Sequence, residues 1–590
     1  MEATAEVHEP PRNEELDDDA RLWHSIDWSR AERSVRRLRQ RIFKAAQEQD
    51  RKKVRNLQKL MLRSRANTYV SIRRVTHVST GRRTAGVDGV KVLTPEERGR
   101  LARTLAEDPA SGVKPVRRVQ IPKDGGKTRP LGIPTVRDRV QQCRVKNALE
   151  PEWEARFEAK SYGFRPGRSC HDAIEKIFRL CARSNARRRW VLDGDLASAF
   201  DRIDHDVLME ATNGFPAQAA IRRWLKAGVM EQGRFAPTEE GTPQGGVISP
   251  LLLNIALHGM GNAIGDYDHL SKVARSKVPQ LVRYADDFVV FCISKEEAEE
   301  ARGTLGKWLA GRGLTIHPEK TRIVRLEDGF DFLGFTVRKF GPKTIIKPSL
   351  KSIARVKENI RTITRESSSV RTDVFIARLN PLIKGWSTYH RSVVSSDIFT
   401  DLDSWMWTKT WKWARRRHPR KSRAWIKDRY YGCFHPTRKD RWILGDLASG
   451  RYLHKFSWTK IERHIPVKGG ASRDDPSLED YWAARTRKRP HPSADGKKNV
   501  NLAARQKGLC PLCGLDLIEG AGYEPESVHE WADWFSAQYR RLNKHHLLYR
   551  SLGGSDHASN LVLIHAECHR QHHAGDRRRG FLELKPARSQ

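Results

Sequence analysis

The tetrapeptide Tyr284-Ala285-Asp286-Asp287 constrains the fold more than any other feature of this chain. It stands between two apolar, β-type runs, Leu281-Val282 before it and Phe288 to Phe291 after it. Adjacent carboxylates at the tip of an apolar hairpin repel each other and are costly in a core unless a cation lies between them. A third carboxylate, Asp195, follows another apolar run, Trp190-Val191-Leu192. Short strands with a polar interruption, alternating with turns and helical stretches such as Ala298 to Leu309, predict an α+β or α/β domain from about 81 to 335. Three carboxylates so placed suit two Mg2+ ions, one activating a primer 3′-hydroxyl and one steadying a triphosphate and the leaving pyrophosphate.

Charge narrows the partner. The 590 residues carry a formal net charge of +39, an excess that fits a polyanion, with a nucleic-acid backbone first in line. Residues 1–20 hold eight acidic residues and one basic residue and read as a flexible tail. From Trp23 to about Val75 the spacing of Leu38, Ile42, Ala45, Val54, Leu57, Leu60 and Met61 predicts basic helices, packed on one side and open to phosphates on the other. No run of 18 apolar residues marks a membrane span, and the start of the chain lacks a secretory signal. Eight thinly spread cysteines suggest a reduced, intracellular protein with one metal knuckle. Between Trp405 and Arg429 lie five Trp, ten Lys or Arg and one acid. Such interleaving stacks on bases and neutralises phosphates; helical spacing of Trp407 and Trp411 predicts Trp inside and Arg outside.

Longer motifs then place the chain. Lys127-Thr-Arg-Pro-Leu-Gly-Ile-Pro134, Ser161-Tyr-Gly-Phe-Arg-Pro-Gly-Arg-Ser169, Gly241-Thr-Pro-Gln-Gly-Gly-Val-Ile-Ser-Pro250, the Tyr-Ala-Asp-Asp block and Phe332-Leu-Gly-Phe335 occur in one order. In that order and spacing the chain resembles the bacterial group II intron-encoded proteins. Gly385-Trp386-Ser387-Thr388-Tyr389-His390-Arg391 is similar to their maturase signature. The resemblance implies a multidomain α+β chain: a right-hand fingers/palm reverse transcriptase with basic N-terminal helices, a helical thumb/maturase domain and a small ββα-metal HNH zinc module. The expected divisions are a tail (1–20), an N-terminal extension (21–80), fingers and palm (81–345), thumb and maturase (346–465), a linker or DNA-binding segment (466–500) and the HNH domain (501–585).

The resemblance also implies roles. Asp195, Asp286 and Asp287 are the catalytic Mg2+ ligands. Lys123 and Arg129 grip the incoming triphosphate, Phe200 crowds a 2′-hydroxyl, and Gln244 and Gly245 lie under the templating pair. Asp193 shares a strand side with Asp195, but the family pattern points to Asp195; Asp201 is expected to brace the turn. The expected partners are group II intron RNA, target DNA and deoxynucleoside triphosphates, with no membrane and a monomer or dimer on the RNA. The expected location is the bacterial cytoplasm, at the nucleoid when in use. The family couples three activities: maturase help to intron splicing, nicking of target DNA, and copying of the inserted RNA from that nick. A domesticated reverse transcriptase in defence or repair and a non-catalytic RNA-folding maturase are the competing readings.

At the C-terminal end, Cys510-Pro-Leu-Cys513 and His565-Ala-Glu-Cys568 predict a structural Zn2+ site of Cys510, Cys513, His565 and Cys568. The module resembles HNH nucleases, which more often have cysteine where His565 stands. The resemblance makes His546 the general base and Asn560 its brace. His545, His569 and His573 would hold a divalent nuclease metal; the 569/573 spacing sets both on one helix face.

Overall fold

The computed structural model describes residues 18–107, 112–122, 128–182, 186–435 and 437–487. In the C-terminal region it describes residues 502, 505, 506, 510, 511, 517, 542–549, 553–565 and 569. Lys123, Cys513, Cys568 and His573 lie outside the described residues, as do residues 1–17 of the expected tail. Its last residues, Asp18 to Ala20, open the helix Asp18–His24, where Asp19 meets Arg103 at 2.8 Å.

The basic N-terminal extension folds as helices with side-chain caps. Asp27 accepts from the Arg30 N–H at the start of Trp28–Gln47, and Asp50 from the Lys53 N–H at the start of Arg51–Arg63. Val35, Leu38, Ile42, Ala45, Val54, Leu57 and Met61 are buried in one core with Val145, Ala148 and Leu149 of the helix Val136–Glu154. Leu60, expected on that face, is half exposed. Arg36, Arg37 and Arg41 point outward, whereas Arg39 is drawn in by Glu150 and Asp474 at 2.8 and 2.7 Å.

Strands β1 (Val116–Pro122), β2 (Thr128–Ile133), β4 (Val229–Glu231) and β5 (Arg234–Ala236) form the fingers sheet, in the order β2-β1-β4-β5. The palm sheet takes β3 (Trp190–Gly194), β6 (Gln280–Tyr284), β7 (Asp287–Cys292) and β8 (Arg322–Arg325), in the order β6-β7-β3-β8, all antiparallel. Alternate palm residues feed different cores. Leu192, Phe288 and Val290 join the helices Ser249–Ala256 and Lys295–Ala310 on one side. Val191, Val289 and Phe291 join the helix Cys170–Cys181 on the other. Burial on both faces explains why these strands read as continuous apolar runs. Next come β9 (Phe330–Phe332), β10 (Phe335–Phe340) and β11 (Lys343–Pro348), a three-stranded antiparallel sheet. Its first hairpin turns on Leu333 and Gly334, both with positive φ (50° and 79°), the two-residue turn that matches strand twist.

The thumb is built from Leu350–Glu366, Thr372–His390 and Ser396–Arg417. Phe375 stacks on Trp413 at 4.4 Å, and Trp386 packs between Phe399 and Phe456. Trp413 is inside as expected, but Trp407 stands outside, 38% exposed. Two short strands, β12 (Tyr431–Gly432) and β13 (Ile443–Leu444), close this region.

Residues 466–487, expected to begin a linker, are packed chain. Asp172 at the start of the helix Cys170–Cys181 accepts from His464 at 2.9 Å and the Val467 N–H at 2.7 Å. Arg168 donates to the Gly469 and Ala471 carbonyls, and Arg39 clasps Asp474. The Trp482 ring covers Gly167 so closely that an added Cβ would stand 2.8 Å from it. Polar and Gly-rich composition mimics a linker, yet these groups are spent on fixed buried partners. The far end of the same palm helix is gripped too: Lys339 and Thr344 both donate to the Cys181 carbonyl, at 2.9 and 2.8 Å. Among the described residues no helix is long and apolar enough to cross a membrane.

Candidate active site

The β6–β7 turn carries the acidic pair. Tyr284 pairs with Asp287, and the intervening Ala285 adopts φ 56°, a strained conformation for a residue with a side chain. The turn is held from behind. Arg283, 1% exposed in the β6 strand, donates to Asn254 Oδ1 (3.1 Å) and the Ala285 carbonyl (3.2 Å). Asn254 in turn donates to the Gly163 carbonyl at 2.9 Å. Gly163 approaches so closely that a Cβ there would stand 2.4 Å from the Ala285 nitrogen.

Strand pairing delivers the third carboxylate. In the β3–β7 register Asp193 faces Val289 and Gly194 faces Phe288. One step further sets Asp195 opposite Asp287. Gly194 is required there, because a Cβ would meet the Phe288 ring at 2.3 Å. The Asp195 carboxylate accepts from Lys320, and its carbonyl accepts from the His317 N–H at 2.8 Å. Burial pushes the Asp286 carboxyl above its usual range, and the Asp195 charge adds to the effect. Asp287 is pushed well above it by burial, then by Asp286, Asp195 and Asp193. Burial likewise lifts Asp193 to about 6, against Arg322 at 3.2 Å. A cluster of carboxylates that resists ionisation on its own is a donor set for hard divalent cations. Among the described residues no three His, Cys, Asp or Glu side chains are already drawn into a metal cage, Asp195 being turned to Lys320.

Three distant sequence blocks meet beside this turn. The Thr242 N–H donates to the Phe200 carbonyl (2.6 Å), and the Gly132 N–H to the Gln244 carbonyl (2.7 Å). Gly245, with φ 119°, lies so near β2 that a Cβ would stand 2.7 Å from the Gly132 oxygen. Phe200 is 9% exposed and meets Phe164 edge to face at 6.1 Å. Arg129, on β2 opposite Ile121, sends its charge toward both Asp201 and Asp286. Asp201 packs under Gly241, which brings it within a cavity lined also by Arg118, Gly132 and Gln244. The structure thus brings Asp195, Asp286, Asp287, Arg129, Phe200 and Gln244 to one end of the palm. Sequence reasoning missed Lys320 and the Arg283–Asn254–Gly163 support. A charge inside an otherwise apolar strand was the available signal for Arg283.

In the C-terminal module, β14 (Leu542–His546) pairs antiparallel with β15 (Leu561–His565), setting His545 opposite Val562 and His546 opposite Leu561. Cys510, His545 and His565 are buried. The His545 and His569 rings meet edge to face at 5.3 Å. His546 Nε2 bonds Asp556 Oδ1 at 2.7 Å. Asn560 accepts from the Leu548 N–H at 2.7 Å and donates to the Leu548 and Ser555 carbonyls, tying the loop that follows His546. Cys513, Cys568 and His573, expected as ligands, fall outside the described residues.

Four family models match along the chain: an N-terminal domain of reverse transcriptase at 23–105, a reverse transcriptase (RNA-dependent DNA polymerase) at 121–337, a group II intron maturase-specific domain at 353–431 and an HNH endonuclease at 534–575. Protein YkfC of Escherichia coli K12 is 39% identical over 302 residues, 44% of this chain and 77% of that protein. The group II intron-encoded protein LtrA of Lactococcus lactis is 30% identical over 352 residues, 49% of this chain and 58% of LtrA. Maturase-like protein 1 of Euglena gracilis is 27% identical over 380 residues, 63% of this chain and 78% of that protein. With a palm whose acidic turn, finger strands and thumb follow this order, the chain belongs to the group II intron-encoded proteins, joining a reverse transcriptase to a maturase-specific domain and an HNH endonuclease domain.

Proposed function

We propose that the palm copies intron RNA into DNA from a primer made by the C-terminal module. The observation that carries this reading is the convergence of Asp195, Asp286 and Asp287 with Arg129, Phe200 and Gln244. Asp195, Asp286 and Asp287 would hold a Mg2+ pair, which would supply activation of the primer 3′-hydroxyl and neutralisation of triphosphate charge. Arg129, with Lys123, draws in the deoxynucleoside triphosphate. Phe200 excludes a 2′-hydroxyl by contact, and Gln244 and Gly245 form the floor under the templating pair.

In the C-terminal module His546 takes the proton from the water that attacks one strand of target DNA, and Asn560 holds its loop. His545 and His569, with His573, would hold a divalent ion, and Cys510 and His565, with Cys513 and Cys568, would hold a structural Zn2+. The nick exposes the 3′-hydroxyl that the palm extends. The thumb and the basic N-terminal helices hold the intron RNA by shape and phosphate, which suits a partner whose deep groove hides its bases. The working place is the bacterial cytoplasm, at the nucleoid, as a monomer or dimer on the RNA.

The test is primer extension on an annealed RNA template with Mg2+ and deoxynucleotides, with an Asp286→Ala, Asp287→Ala double variant beside the parent. Extension by the parent alone is expected. Extension by both would remove the acidic pair from the chemistry; extension by neither, with RNA still bound, would leave a maturase or scaffold.

A further inference from the structure

The thumb helix Ser396–Arg417 does not bury all its tryptophans. Trp413 is 3% exposed and belongs to the core, whereas Trp407 is 38% exposed and Trp442, from the loop before β13, is 44% exposed. Trp407 and Trp411 lie near-parallel, 15° apart, with centroids at 5.7 Å. Trp442 stands roughly across both, at 5.8 Å and 82° from one and 6.4 Å and 67° from the other. Together the exposed Trp407 and Trp442 and the partly buried Trp411, which rests on the thumb core, form a corner at the surface.

The corner is built rather than accidental. Tyr431 backs it, 5.6 Å from Trp411 and 6.2 Å from Trp442, and its buried hydroxyl donates to Thr410 Oγ1 at 3.0 Å. The Trp442 backbone N–H donates to Asp440 Oδ1 at 3.0 Å, and Asp440 is itself paired with Lys455. Aromatic surface left in water costs free energy that this fold could have recovered by inward packing, as it does at Trp413. The surroundings are cationic: the Lys427 ammonium sits 5.7 Å over the Trp442 ring, and Arg415 follows Trp411 by one helical turn. Arg423, Arg429 and Arg441 are exposed nearby in sequence.

We propose that Trp407, Trp411 and Trp442 form a stacking platform for unpaired bases of RNA, with Lys427 and Arg415 taking the flanking phosphates. This rests on the reading of the chain as an RNA-binding maturase and names what this face of it takes. Flat aromatic faces match a base, which presents the same π-surface whatever its identity. A double helix hides its base faces, so the platform selects loops, bulges and single strands over duplex. The charge around the corner complements phosphates; an apolar peptide would have to desolvate those cations without pairing them.

The experiment uses the full chain with its palm filled by excess annealed primer–template. A fluorescent, unstructured oligoribonucleotide and a blunt RNA duplex are titrated separately by anisotropy. Trp407→Ala and Trp442→Ala are expected to weaken the single strand roughly tenfold each, with duplex affinity unchanged and Trp442→Phe retaining most of the binding. Single-strand affinity that survives both alanine changes would overturn the platform and leave the face to a protein partner. Equal loss for duplex and single strand would overturn it as well, reducing the corner to part of a general phosphate surface. Primer extension by the same preparations reads the polymerase separately: its failure in the parent would strike the broader reading, and its persistence in the variants shows that they fold.

Discussion

Two carboxylate sites, the half-buried Asp286–Asp287 turn and the fully buried Asp172 beneath the thumb, reach opposite electrostatic outcomes. Burial works against the charged form in each. At Asp172 it is outweighed by the hydrogen bond and charge of His464, the charge of Arg485 and the Val467 N–H, so the carboxyl lies well below its usual range. At Asp287 burial is reinforced by three further carboxylates and opposed only weakly by Lys320. Burial therefore does not separate a working acid from a structural one. The company does: donors converge where a carboxylate fastens the fold, and other carboxylates converge at the turn proposed to take a cation.

The sharpest way to break this comparison is to neutralise each site. Asp287→Asn should reduce primer extension to background. It should also raise the melting temperature of the metal-free chain, by roughly 2–4 °C for each kcal/mol of repulsion removed. A variant that lost both activity and stability would place Asp287 among the structural acids. Asp172→Ala should cost about 3–5 kcal/mol, because it strands Arg485 and His464 at a buried junction; urea unfolding measures this, and a cost near zero would erase the contrast.

A smaller effect comes from pH, and its sign differs between the sites. Burial lowers His171 to about 4 and His390 well below its ordinary 6.5. Their contribution to stability is complete above pH 6.5 and is lost as pH falls toward 4, followed by that of Asp172, whose lowered value puts its loss below the usual carboxylate range. For Asp286 and Asp287 the raised values reverse the sense: their contribution is complete below about pH 4 and is lost as pH rises through the raised values. Hydrogen exchange of the metal-free chain between pH 7 and 5 should therefore loosen the helices Cys170–Cys181 and Thr372–His390 while β3 and β7 hold or tighten. Parallel loosening of both would show that the two sites do not titrate independently.

Much of the palm was legible in the chain. The acidic turn and the strand before Asp195 follow from local pattern, because turn chemistry and alternation act over a few residues; Phe332–Phe335 was marked only by resemblance, and its hairpin is seen in the structure. Less accessible was anything that depends on distant pairing. Nothing local sets Asp195 opposite Asp287, and Lys320 reaches Asp195 across 125 positions. The Arg39–Asp474 clasp spans 435 positions and hides in a stretch whose composition resembles a linker. Trp407 and Trp413 share one helix, and spacing alone does not say which stripe meets the core. In the C-terminal module the order of His545, His546 and Asn560 was readable; the strand pairing that brings Asn560 under the His546 loop was not.

The helix Cys170–Cys181 has a mechanical consequence. Its carboxyl end is held by the strands that lead into the thumb, and its amino end by the chain that leaves it. Twelve residues of α-helix separate the two attachments by about 18 Å. A third tie, between His171 Nε2 and the Tyr389 carbonyl at 2.6 Å, joins the same helix to the thumb directly. The palm helix is a splice between two bodies, and losing any one fastening leaves the thumb anchored by the others.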